Sequence, residues 1–81
     1  MATDDTYRVG GLTMHQCGRL LAAVESVDIA DDDLRRCIHG RYVRGTEQQL
    51  RELASIARKL GVSEWDTTLY GAAERIDGEL P

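Results

Sequence analysis

Two Thr-x-x-Gln boxes, Thr13-Met14-His15-Gln16 and Thr46-Glu47-Gln48-Gln49, each open a run of apolar residues at spacings of three and four. In such a box the Thr hydroxyl accepts the amide hydrogen three residues on, and the Gln side chain reaches back to the Thr amide. Both boxes therefore mark helix starts, and the apolar period behind each one predicts an amphipathic helix. The first helix is expected over 13–27, with Met14, Cys17, Leu20, Leu21, Val24 and Val27 inward and His15, Arg19, Ala22 and Ser26 opposite. The other box predicts a helix over 46–60, with Leu50, Leu53, Ala54, Ile56, Ala57 and Leu60 inward. Gly61-Val62 reads as its Schellman stop, Val62 folding back as the apolar contact.

Two further helices follow from their end signals. Asp31, Asp32 and Asp33 suit the positive end of a helix dipole, and Arg35, Arg36 and His39 suit the negative end, which predicts a short helix over 31–39. Gly40 is its stop, Leu34, Cys37 and Ile38 point inward, and Asp31–Arg35 and Asp32–Arg36 are favourable pairs one turn apart. Ser63-Glu64-Trp65-Asp66 starts a last helix over 63–77, lined inside by Trp65, Leu69, Ala72, Ala73 and Ile76 and ended by Gly78. Gly71, Ala72 and Ala73 are small enough for a neighbouring helix to come close. Arg41-Tyr42-Val43-Arg44-Gly45 is a connector or a short extra turn. Residues 1–12 show no clear period and read as an extended arm ending at Gly10-Gly11. The expected fold is all-α: an N-terminal arm (1–12) and one domain (13–81) forming a compact four-helix bundle.

At 81 residues the chain makes one domain with a thin core, which a second copy would supplement. The acidic start, Met1-Ala2-Thr3-Asp4-Asp5, lacks the apolar stretch of a signal peptide, and no apolar run reaches the roughly 18 residues that span a bilayer. The expected location is cytoplasmic, with no membrane contact and both cysteines as free thiols.

Charge is sorted along the chain. Residues 1–33 carry net −5, residues 34–63 net +5 and residues 64–81 net −4. Glu25, Asp28, Asp31, Asp32 and Asp33 crowd the first interhelical turn. Arg35, Arg36, Arg41 and Arg44 with Tyr42 form the basic counterpart. Faces of opposite sign steer partners, and Arg and Tyr are enriched at interface centres.

His15, Cys17, Cys37 and His39 are zinc-ligand types in mirrored pairs, yet residues two apart on a helix point about 200° apart, so one ion cannot take both. No metal or cofactor is expected; Cys17 and Cys37 are small core residues. No catalytic residue is assigned, because both thiols lie on apolar faces and the Asp31–Asp33 cluster suits a helix start. No small-molecule substrate is expected from a domain this small. The stretch 53–63, with Ala57, Gly61, Val62 and Ser63 at the crossing, turn and cap positions, resembles the first half of a helix-turn-helix. That resemblance implies DNA binding. The second half departs from it: Thr67 stands where an apolar residue belongs, and Glu64, Asp66, Glu74 and Asp77 face the phosphates against Arg75 alone.

The expected function is therefore a non-enzymatic protein-binding module with a regulatory or inhibitory role. Its acidic face would occupy a basic nucleic-acid-binding surface of a target, in the manner of small phage or mobile-element inhibitors. Homodimerisation accompanies that reading. The alternative is a DNA-binding regulator with a degenerate helix-turn-helix.

Overall fold

The computed structural model describes residues 5–27 and 32–80, with Asp32 described in its backbone alone. The element order is β1 (Thr6–Val9), α1 (Met14–Ser26), α2 (Asp32–Cys37), β2 (Val43–Thr46), α3 (Glu47–Ser63) and α4 (Thr67–Glu79). The chain is predominantly helical, as expected, but an all-α bundle does not describe it: β1 and β2 form a two-stranded antiparallel sheet.

Both capping boxes are made. Thr13 Oγ1 accepts the Gln16 amide at 2.9 Å, Gln16 Oε1 accepts the Thr13 amide at 2.9 Å, and Thr46 with Gln49 repeats the arrangement at 3.2 and 2.9 Å. A cap of this kind stabilises its helix by about 1 kcal/mol. The inward faces of α1 and α3 converge: Cys17, Leu20, Val24, Leu50, Leu53, Ala54 and Ala57 are buried. Leu69, Ala72, Ala73 and Ile76 of α4 complete the core. Met14 departs from its expected place and is 63% exposed, while Leu21 and Val27 are half-buried. The inward stripe of α1 runs instead through Cys17, Leu20, Ala23 and Val24.

The expected arm is a strand anchored in the core. Tyr7 lies opposite Gly45, Arg8 opposite Arg44 and Val9 opposite Val43. Val9 and Val43 are fully buried. The expected stop at Gly40 is the loop of a second small hairpin. Ile38 bridges to Val43, and the His39 amide donates to the Tyr42 carbonyl at 2.9 Å, leaving Gly40-Arg41 as a two-residue connection. Of the expected Arg41–Gly45 connector, Arg41 lies in that connection, while the rest pairs on both sides of Val43. Gly11, at φ +77°, turns the chain from β1 toward α1, and Arg75 Nε of α4 donates to the adjacent Gly10 carbonyl at 2.9 Å.

The α3–α4 junction differs most from expectation. Helix α3 does not stop at Gly61 but runs to Ser63. Gly61 is instead the point where α4 crosses: an added Cβ would lie 2.9 Å from Tyr70 N and 3.2 Å from Asp66 O. The Schellman motif forms four residues later. The Asp66 amide donates to the Gly61 carbonyl at 2.9 Å and the Trp65 amide to Val62 at 3.4 Å. Trp65 takes the left-handed position at φ +56°. Asp66, not Ser63, caps α4 and accepts the amides of Thr68 and Leu69 at 3.0 and 3.2 Å. The turn required at Gly61 for a helix-turn-helix is therefore absent from that position.

Candidate functional site

Tertiary folding redistributes the charge blocks. All five carboxylates of the last block are answered by arginines. Arg19 meets Asp66 at 2.6 Å and Glu64 at 3.9 Å, Arg58 meets Glu74 at 2.9 Å and Asp77 at 2.5 Å, and Arg75 meets Glu79 at 3.7 Å. Exposed pairs like these contribute little stability, but three arginines shared among five carboxylates weaken the field of an acidic face. Arg19 foremost, with the Leu69 amide next, holds the Asp66 carboxyl below the usual range.

Of the acidic set around the first interhelical turn, Glu25 pairs with Arg35 at 3.2 Å and Asp33 is exposed. Asp28, Asp31 and the Asp32 side chain lie outside the described residues. The Glu25–Arg35 contact joins one member of the acidic set to one of the basic set. The expected Asp31–Arg35 and Asp32–Arg36 pairs fall on undescribed side chains.

Among the described residues Arg8, Arg36, Arg41 and Arg44 form no ion pair with a carboxylate. Arg8 and Arg44 project from the same side of the sheet at directly opposed positions, both exposed. Tyr42 shares that side. The Arg8 guanidinium carbon lies 4.3 Å from its ring centre, and the His39 ring stacks on it at 4.5 Å and 12°. Arg41 Nη2 lies 3.8 Å from Met14 Sδ. Sequence reasoning found Tyr42, Arg41 and Arg44 but missed Arg8 and His39. The alternation Tyr7-Arg8-Val9 against Tyr42-Val43-Arg44 is the signal, too short to register as a strand by itself.

A second surface stands at the α3–α4 junction. Trp65, expected in the core, is 91% exposed; Val62, expected to fold back, is 62% exposed; and Tyr70 is 42% exposed. Together with Gly61 and Thr67 they line an apolar cleft of about 290 Å³. Trp65 points outward because the left-handed residue of the Schellman turn lies outside both helical phases.

The possible metal and nucleophile residues do not converge. His15 and His39 are exposed, and Cys17 and Cys37 are buried free thiols on α1 and α2. Among the described residues no three His, Cys, Asp or Glu side chains gather around a common point. Burial pushes the Cys17 thiol up, away from the reactive thiolate. Cys37 Sγ is 3.2 Å from the Asp33 carbonyl and 3.6 Å from Gln49 Oε1. No helix among the described residues is long and apolar enough to cross a membrane.

The chain matches no family model, no curated protein and no solved structure.

Proposed function

We propose that this protein is a non-enzymatic protein-binding module with a regulatory role, and that its contact surface is the Val62–Trp65–Tyr70 patch. One observation carries the reading: the sole tryptophan is 91% exposed in a backbone conformation that a bulky residue adopts at a cost. Glycine would serve the turn better, and Trp65 contributes almost no burial to the monomer in return. Large aromatic residues of this kind anchor interfaces.

The occupant that best fits is a second copy of the chain. The exposed indole is itself a wall of the apolar cleft, so two copies about a twofold axis bring ring and cleft of one against ring and cleft of the other. Arg19 pairs with both Glu64 and Asp66 beside the patch, which leaves a single net negative charge and limits the repulsion between like surfaces. Added burial also supplements the interior of a small domain.

Trp65 supplies its own readout. Its emission is expected to move to shorter wavelength as protein concentration rises, while sedimentation equilibrium reports a dimer. Trp65→Ala and Val62→Asp should sediment as monomers with unchanged helical circular dichroism. A wild-type monomer with a fully solvated emission maximum at every concentration would overturn the assignment.

A further inference from the structure

We infer that the outer face of the β1–β2 ribbon is a second binding surface, and that its ligand is duplex DNA, held through backbone phosphates with the ribbon in the major groove. This inference stands apart from the dimer reading and uses none of its residues.

The outward positions carry it. Thr6 and Arg8 on β1 stand opposite Thr46 and Arg44 on β2, with Tyr42 and His39 continuing the same side. Like charges placed directly across a strand pair destabilise it, and carboxylates ordinarily relieve such a contact. Among the described residues Arg8 and Arg44 have none, although all five carboxylates of the last block are matched to other arginines. An external anion would relieve the opposed pair of guanidinium groups, with Tyr42 already against the Arg8 group.

The chemistry of the face selects among anions. It presents guanidinium, imidazole, phenol and hydroxyl groups and no aliphatic side chain. Tyr42, the aromatic that an acidic protein would use as an anchor, is half-buried and already covered by Arg8 and His39. Phosphate oxygens match the planar fork of arginine and accept from Thr hydroxyls. Tyr42 already carries Arg8 and His39 against its ring, so it has little aromatic face to offer an unstacked base. That favours a duplex over a single strand. A two-stranded antiparallel ribbon is also one of the elements that the major groove admits. The net charge of −4 does not oppose this contact at physiological salt, because screening over about 8 Å confines each charge to its neighbourhood.

The test is fluorescence anisotropy of a labelled DNA duplex titrated with the whole chain at about 50 and 200 mM salt, a range over which phosphate contacts weaken steeply. Arg8→Ala and Arg44→Ala should each weaken binding and reduce the slope of log affinity against log salt by about 0.9. Arg8→Lys should keep the wild-type slope. Lys59→Ala, which removes an equal charge from α3, should bind like wild type. Thermal unfolding of Arg44→Ala should be no lower than wild type, since it relieves an opposed like-charge pair without removing the Arg8 contact on the Tyr42 ring. Absence of duplex binding at the lower salt would overturn the proposal. So would equal weakening by Lys59→Ala, or equal affinity for the corresponding single strand.

Discussion

Left-handed backbone costs a residue with a side chain about 1–2 kcal/mol, and Trp65 occupies it at φ +56° with almost no burial in return. Trp65→Gly is accordingly expected to raise the unfolding free energy by about 1 kcal/mol in urea denaturation, while removing self-association. Stability and binding should move in opposite directions at one residue. Asp66 carries the other prediction at this scale. Its carboxyl is held low, chiefly by Arg19. A carboxylate whose folded pKa is depressed contributes stability above its unfolded pKa, and that contribution disappears as pH falls through the folded value. The denaturation midpoint should therefore fall as the medium is acidified through the carboxylate range. In Asp66→Asn, which keeps a capping carbonyl but loses the charge, that fall should be shallower.

Helices α1 and α3 were legible because a Thr-x-x-Gln box and a regular apolar stripe are local signals. Their C-terminal limits were less so. Gly61 has the residue type of a helix stop, yet it lies inside α3 because the α4 backbone needs the space of a missing side chain. Gly18 in α1 has no atom within 4 Å of an added Cβ. Opposite outcomes follow for the same substitution. Gly18→Ala should stabilise by about 0.5–1 kcal/mol through helix propensity. Gly61→Ala should destabilise by about 1–2 kcal/mol, because overpacking of roughly 1–3 kcal/mol outweighs that gain. Chemical denaturation of the two variants decides both. The strands escaped notice for a different reason. Four residues at period two give too little pattern, and Thr6 meets Thr46 only after α1 and α2 have intervened.

For the molecule as a whole, β1 and the Gly10 that follows it are structural. Val9 is fully buried against Val43, and Arg75 of α4 fastens to the Gly10 carbonyl. A chain beginning at Gly11 should lose cooperative thermal unfolding by circular dichroism, and Val9→Ala alone should cost about 2 kcal/mol. The charge pattern changes meaning at this scale too. Blocks sorted along the chain become ion pairs in space, so the acidic last block carries no unanswered carboxylate among its described residues. Arg8, distant in sequence from the basic block, comes to lie opposite Arg44. Of the candidate site, Arg41, Tyr42 and Arg44 were legible from charge and residue type, whereas Arg8, His39 and the outward course of Trp65 were not.

The amino-acid sequence by itself determined that four helical segments form, where α1 and α3 begin, and that Leu20, Leu50, Leu53, Ala54, Ala57, Leu69, Ala72 and Ala73 turn inward. Capping and amphipathic period depend on residues within a few positions of one another. The tertiary structure alone decided that the arm is a strand, that Gly61 is a crossing point, that Trp65 faces solvent and that Arg8 and Arg44 share one face. Each of these depends on which distant backbone arrives beside a residue, and on which charges are answered when it does.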